Sequence, residues 1–562
     1  MIRTALSLIL VASAAFAEDA RQAIASERPL FRVGIMTDTH VEDDPASTNR
    51  LAAAYRLFRA QGVRLIANCG DIADYWSPKA YANYRAVRAA TYPDAATAPR
   101  ELYAWAGHDH FRFPDQQEPE PWANAFASVR RELGIPHDMY ADEEIGGFRF
   151  LVVPQKPDYG RYRQMLEKAC AESPDKPVFV IDHIPPAGTT EGTSSADCGD
   201  PRRRLLLAEF PQAIVFTGHS HTSLHNERNI WQGEFTTISA GGLSIWSGDF
   251  LGEVLWPMMD RYDVLVMEVF GRKAVLRRYD VRTGREFGGE APWTVRWPYD
   301  PARPDYPVES RRAKAMVPSF PADAGIDLRE TPSGRPFAVT VSFPASVSTN
   351  SIRSYRIAWE RPDAACGWRT FARQEVPGEF GCAPEGWPSR IEYAFTGAYF
   401  EPGESYRVSV RPVNAWGQEG AAIVRTWTAP RFGRHVAWSG LPDGVTSGQR
   451  FVIGRGDESE IRLNLPEALK ASVLTPGARV RVAIDLETEQ HEESGVTFSL
   501  FGNANRGRYP WCLTTPLGAC DARYAFDVTL PKKEQSYSLA FRHGVSGWFS
   551  VKGVRIERLP QP

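Results

Sequence analysis

Five short clusters of metal-ligating side chains occur in chain order, each just past an apolar run: Asp38-Thr39-His40, Gly70-Asp71, Gly107-His108-Asp109, His183 and Gly218-His219-Ser220-His221. The runs, such as Phe31 to Thr37 and Val178 to Ile181, have few polar interruptions. That pattern reads as strands of a parallel sheet covered on both faces. Ligands recurring at strand ends converge, because open α/β sheets place their sites in the crevice beyond the carboxyl ends of the strands. Imidazole and carboxylate together suit zinc, iron or manganese.

A chain of 562 residues is too long for one core, since domains typically hold about 50 to 250 residues. The net charge of −3 sets up no global field toward nucleic acid or anionic lipid. Arg3, the apolar stretch Leu6 to Ala15 and the small-residue pattern Ala15-Phe16-Ala17 read as a secretory signal over residues 1–17, with the mature chain starting at Glu18. No later stretch reaches the about eighteen uninterrupted apolar residues of a membrane span. The expected location is therefore periplasmic or secreted. Seven cysteines fit an oxidising compartment. Cys366 with Cys382, Cys512 with Cys520 and Cys170 with Cys198 are candidate disulfides, although spacing alone does not fix connectivity. Cys69 is left as a buried free thiol.

Residues 18–296 alternate strand and helix patterns, which means an α/β layered domain. Leu51 to Arg59 has helical periodicity and follows Thr48 and Asn49, good capping residues. Residues 297–332 read as a linker, with six prolines and few apolar runs between Trp297 and Asp327 and with Arg311, Arg312 and Lys314 on a solvated face. Short alternating strands with turn residues between them then argue for all-β sandwiches. Residues 333–430 resemble a fibronectin type III domain, on the strength of Tyr355-Arg356-Ile357-Ala358-Trp359 and the stretch Tyr406 to Gly417. Residues 431–562, with Val480 to Glu487, Gly495 to Phe501, Tyr537 to Arg542 and Trp548 to Glu557, look like a jelly-roll sandwich.

The five clusters resemble the blocks of the calcineurin-like metallophosphoesterase superfamily: D-x-H, G-D, G-N-H-[DE], H and G-H-x-H. Each block is weak alone, but five in order at strand ends are specific. The resemblance implies an α/β four-layer sandwich and a binuclear centre of manganese, iron or zinc ions. It also implies hydrolysis of phosphate mono- or diesters by a metal-bridging hydroxide. By the same resemblance Asp71 bridges the ions, Asp38, His40 and His221 complete the first site, and His183 and His219 hold the second. The chemistry is independently sensible: two cations about 3.5 to 4 Å apart clamp a phosphate, offset its charge and make hydroxide at neutral pH.

The third block departs from the pattern, reading Ala106-Gly107-His108-Asp109-His110. In one alignment His108 is the family histidine, Asp109 orients it, and Gly107 replaces the asparagine ligand. In the other, His108 itself replaces the asparagine. The first has a catalytic logic: His108 assists the leaving oxygen while Asp109 fixes its tautomer. Either way the second ion lacks its asparagine, and His110 is one candidate replacement. The D-x-G block and following tyrosine of purple acid phosphatases are missing; His40 and Asp74 stand there instead.

Other residues have plainer readings. Asp182 reads as a cap or support, Glu42 to Asp44 as a solvated turn, and Arg202 to Arg204 as a solvated face. Tyr75 and Trp76 suit either stacking on substrate or core packing. Arg455-Gly456-Asp457 reads as a chance tripeptide. Tyr509, Trp511, Trp548 and Phe549 read as sandwich core rather than a sugar platform. The expectation is an exported metal-dependent phosphoric ester hydrolase. The β units would position it on a glycan, envelope component or neighbouring protein. A surface-binding protein with an impaired phosphatase-like domain is the second reading, and metal content separates the two.

Overall fold

The computed structural model describes residues 28–560 except 95, 112, 114–120, 192, 194–198, 245–261, 288–291, 333–334, 349–351, 379–387, 454–459, 489–494, 505–506, 510–513, 517–520 and 544–546. The expected signal, Arg455-Gly456-Asp457, Trp511, and Cys198, Cys382, Cys512 and Cys520 lie outside the described residues. Each expected disulfide thus has a member outside them, and the described Cys69, Cys170 and Cys366 are free thiols.

The N-terminal unit is built on two sheets. The first runs β12 (Arg285–Glu286), β11 (Lys273–Asp280), β10 (Asp263–Val269), β1 (Phe31–Met36), β2 (Leu65–Asn68), β3 (Arg100–Tyr103), with β13 (Trp293–Arg296) also on β11. The second runs β4 (Ala141–Ile145), β5 (Phe148–Val152), β6 (Val178–Ile181), β7 (Ala213–Thr217), β9 (Thr236–Ser239), β8 (Ile230–Gln232). β1, β2 and β3 are mutually parallel, as are β5, β6, β7 and β9.

Side-chain alternation along each strand separates the two faces of each sheet. Val33, Ile35, Leu65 and Leu102 of the first sheet meet Phe150, Phe179, Phe216 and Ile238 of the second in one core. The outer face of the first sheet, with Met36 and Ile66, is covered by Tyr55 and Phe58 of α1 (Pro45–Ala60), Tyr81 of α2 (Pro78–Thr91) and Val129 of α4 (Pro121–Leu133). The outer face of the second, with Leu151 and Val180, is covered by Tyr162 of α5 (Tyr159–Glu172) and Leu207 of α6 (Pro201–Leu207). The layers therefore run helix, sheet, sheet, helix. A short α3 (Gly107–His110) follows β3 directly.

Cap-proline pairs start three of the helices: Asp44-Pro45, Ser77-Pro78 and Asp200-Pro201, each cap accepting a backbone N–H. A capping side chain of this kind contributes about 1 kcal/mol, and proline at the first helical position costs nothing because its N–H would be orphaned. α1 therefore begins at Pro45, ahead of the expected Thr48-Asn49 start, and Asp44 of the acidic turn is its cap.

The rest of the chain is strand-rich. A three-stranded and a four-stranded sheet share a core around Tyr355, Trp359, Phe395 and Tyr406. Two five-stranded sheets then share a core with Val480, Leu539, Phe541 and Ile556. Phe549 is fully buried in that core, and Trp548 lies under Arg450, 4.0 Å from its guanidinium.

The Pro-rich stretch is not an open linker. It carries a helix, Val308–Lys314, and the strand Asp327–Glu330, which pairs with Ala338–Pro344. Arg311, expected on a solvated face, instead donates to Glu227 Oε2 at 2.6 Å and to Ile230 O at 3.2 Å. Among the described residues no helix is long and apolar enough to cross a membrane.

Candidate metal centre

The carboxyl ends of β1, β2, β3, β6 and β7 carry the five clusters, and backbone hydrogen bonds lace their loops together. Asp38 N donates to Gly70 O at 2.9 Å, His40 N to Asp71 O at 3.1 Å and Gly218 N to His183 O at 3.0 Å. Two of the glycines are required by space. A Cβ on Gly218 would lie 1.9 Å from Thr37 Oγ1 and 2.6 Å from Asp38 Oδ2. One on Gly70, whose φ is +104°, would lie 2.8 Å from His183 Nδ1.

The six residues expected as metal ligands fall into two compact groups. Asp38, His40 and His221 form one, and Asp71, His183 and His219 the other. Asp71 Oδ2 links them, 3.2 Å from His183 Nε2 and 3.9 Å from His40 Nε2. Every non-glycine residue with positive φ among the described residues belongs to this set: Asp38, His40, Asp71, His219 and His221. Such conformations cost about 1–3 kcal/mol each and gather at functional sites.

The hydrogen bonding fixes which ring nitrogen faces inward. A carbonyl only accepts, so His183 Nδ1 donates to Cys69 O at 2.8 Å and His221 Nδ1 donates to Ser244 O. His40 Nδ1 is held at 3.1 Å by Asp74 Oδ1. In the neutral rings Nε2 is then a lone pair. His183 Nε2 faces Asp71 Oδ2 at 3.2 Å, and His221 Nε2 faces Asp38 Oδ1 at 3.2 Å. Lone pairs aimed at carboxylates repel unless a cation or proton lies between them. An imidazole whose outer N–H is held by a carbonyl or carboxylate is the usual metal-ligand arrangement.

The electrostatics make the same demand for positive charge. Burial disfavours protonated His40, but the carboxylates of Asp38, Asp74 and Asp71 outweigh it and raise the ring to about 10. His183 is pushed up to about 9 against its burial, chiefly by Asp71. Burial also opposes ionisation of Asp38 and Asp71, yet the surrounding histidines hold both below the usual carboxylate range. The donor set and its charge therefore fit a pair of divalent cations.

His108 lies at the rim, its side chain 44% exposed and its ring 4.7 Å from that of His40. It groups with His40 and Asp74 rather than with Asp71, His183 and His219. Asp109 does not touch its side chain. Instead Asp109 Oδ1 accepts from the backbone of Ile72 at 2.9 Å and Ala73 at 3.1 Å, pinning the loop after Asp71. Burial, reinforced by the charge of Asp71, pushes Asp109 up to about 8. The partner of His108 is Asp74, whose carbonyl accepts from Nδ1 at 2.7 Å. The reading of Asp109 as the group that fixes the His108 tautomer is thereby corrected; Asp74 holds both His108 and His40. His110 packs on Trp122, ring centroids 5.3 Å apart. Trp76 packs on Phe113 at 5.2 Å, while the half-exposed Phe111 stands 6.3 Å from His108.

Arg203 is the other correction. It is buried rather than solvated, and its fork grips Asp182, with Nε on Oδ2 at 2.8 Å and Nη2 on Oδ1 at 3.1 Å. Asp182 Oδ1 also accepts from His183 N at 2.7 Å, so Arg203 supports a residue of the second group.

Residues 31–223 match the model of the calcineurin-like phosphoesterase family. Residues 31–223 thus form a calcineurin-like metallophosphoesterase domain, with Asp/His clusters suited to a dimetal centre. No curated protein sequence matches the chain. Among solved structures, a dimetal phosphatase from Danio rerio is 11% identical over 48% of this chain and 100% of its own, with a TM-score of 0.33. A purple acid phosphatase from yellow lupin seeds is 13% identical over 47% of this chain and 53% of its own, with a TM-score of 0.34. A 5'-nucleotidase precursor from Thermus thermophilus is 13% identical over 47% of this chain and 54% of its own, with a TM-score of 0.26.

Proposed function

We propose that the chain is a two-metal phosphoester hydrolase acting on phosphate mono- or diesters. The observation that carries the reading is the inward-facing lone pairs of His40, His183 and His221 opposite Asp38 and Asp71. Asp38, His40 and His221 would hold one ion, His183 and His219 the other, with Asp71 between them. The ions, when bound, offset the charge of the phosphate and supply a nucleophile from water at neutral pH.

The protein's own residues do the rest. The carbonyl of Asp74 fixes Nδ1 of His108 as the donor, so Nε2 is the atom that exchanges a proton with the leaving oxygen. Asp109 keeps the loop of Asp71 in place. The leader-like start at Arg3 to Ala17 supports export to the periplasm or exterior. The strand patterns support fibronectin type III-like and jelly-roll-like sandwiches in the C-terminal half.

Metal analysis and nitrophenyl ester assays test the reading. Two equivalents of manganese, iron or zinc per chain are expected. Asp71→Asn is expected to abolish hydrolysis of both nitrophenyl phosphate and its bis-ester while leaving the far-UV spectrum unchanged. Retained activity in that variant would refute the assignment.

A further inference from the structure

In the first alignment of the third block Gly107 stands where the family pattern carries an asparagine, which leaves the second group of ligands one carboxamide short. The structure fills that volume from a different strand. A Cβ built on Gly107 would meet Gln155 Oε1 at 3.0 Å and Nε2 at 3.2 Å. The Gln155 amide thus occupies the space that an asparagine side chain at 107 would take.

Its oxygen also lacks a use. Gln155 Oε1 is buried and accepts no hydrogen bond among the described residues. An unsatisfied buried acceptor of this kind is costly, so its retention asks for a partner beyond the described residues. The backbone that presents the amide is fixed at both ends: Gln155 N donates to Trp105 O at 2.8 Å, and Gln155 O accepts from Arg203 Nη2 at 2.8 Å. Arg203 is the residue that grips Asp182, next to His183. On the other side, His108 N donates to Asp71 Oδ1 at 3.1 Å, so Gly107 adjoins a residue tied to the linking carboxylate.

We infer that Gln155, through Oε1, is the neutral oxygen ligand of the second metal site, supplied from the loop after β5 in place of the missing asparagine. This rests on the two-metal reading above. A carboxamide oxygen leaves the net charge of the site as an asparagine would, and it suits the same hard cations. The exchange also suits the glycine: a Cβ at 107 would press on the amide of Gln155, at 3.0 Å from Oε1 and 3.2 Å from Nε2.

Calorimetric titration of the metal-stripped full chain with Mn²⁺ tests the inference. The wild type is expected to take up two equivalents. Gln155→Ala keeps the first and binds the second about 10- to 100-fold more weakly, the range known for disturbed metal sites. Adding Gly107→Asn to Gln155→Ala restores the second equivalent, because the asparagine then has the space. Gln155→Ala with both equivalents at wild-type affinity overturns the inference and leaves the two-metal reading standing. A wild-type chain that takes up fewer than two equivalents overturns that reading, and this one with it.

Discussion

Replacing Arg203 with methionine removes the charge on which the second group of ligands leans. Arg203 is 1% exposed and Asp182 0%, and the guanidinium serves six acceptors: both Asp182 oxygens, Asp200 Oδ2 at 2.8 Å, Gln155 O at 2.8 Å, Pro154 O at 3.3 Å and Tyr159 Oη at 3.3 Å. Methionine retains most of the apolar stem but strands a buried carboxylate. Breaking a buried pair from one side costs about 3–5 kcal/mol. At about 2–4 °C per kcal/mol for a domain near 250 residues, Tm falls by about 6–20 °C. The assay is thermal denaturation followed by near-UV circular dichroism. The relevant transition is the one that Mn²⁺ raises, since a ligand of the folded state stabilises only the unit that binds it.

The pH dependence has a definite sign. Burial raises Asp182, and Arg203 is the main influence holding it down. Without Arg203 its folded-state pKa rises further above the unfolded value. The stability of the variant is then fully present below the unfolded pKa and is lost as pH rises through the folded one. The deficit against wild type is therefore largest at neutral and alkaline pH. Arg203→Lys keeps the charge but not the fork and falls between the two. Arg203→Met combined with Asp182→Leu recovers most of the loss, because a buried pair replaced by apolar side chains leaves no stranded charge. A loss below about 1 kcal/mol for Arg203→Met, the scale of a surface ion pair, would refute the reasoning.

Two further outcomes are expected. Glu101 is buried on β3 beside Arg88, and burial raises its carboxyl despite that partner; Glu101→Gln should remove the part of the Tm decline seen as pH rises from the ordinary glutamate range, and an unchanged pH profile would refute this. Glu227 takes Arg278 and Arg311 at 2.6 Å each and the Trp293 indole N–H at 3.2 Å; Glu227→Ala should release the Val308–Lys314 segment to trypsin at Arg311, so equal digestion rates in variant and wild type would count against this latch.

The clustering of the candidate ligands was legible because each block keeps its chemistry within a few consecutive residues at a strand end. What was not legible depends on partners distant in sequence. Asp74 reads in sequence only as the residue that replaces a tyrosine, although it lies three places after Asp71, and its two histidine contacts appear only when the loops close. Arg203 sits between the exposed Arg202 and the half-buried Arg204, and only its position on α6 beside β6 turns it fully inward. Gln155 belongs to no motif. In the Pro-rich stretch, proline density suggested an open connection, but Pro307 serves as the cap of a helix and the stretch ends in a paired strand.

The backbone strain and the charge of the site have one explanation. Five ligand residues hold left-handed φ values that side chains disfavour, and the interloop hydrogen bonds of Asp38, His40 and Gly218 enforce them. The same loops turn Nε2 of His183 and His221 toward carboxylates, each at 3.2 Å. Neither feature helps the bare protein: the first costs conformational energy, and the second sets lone pairs against one another. In the bare protein protons relieve the second, since the carboxylates raise His40 and His183 to about 10 and about 9 even though burial opposes charged imidazole. On the two-metal reading, a cation in each group would offset the repulsion outright and return the energy stored in the loops as binding. That reading accounts for the left-handed non-glycine residues falling at these five positions and nowhere else among the described residues.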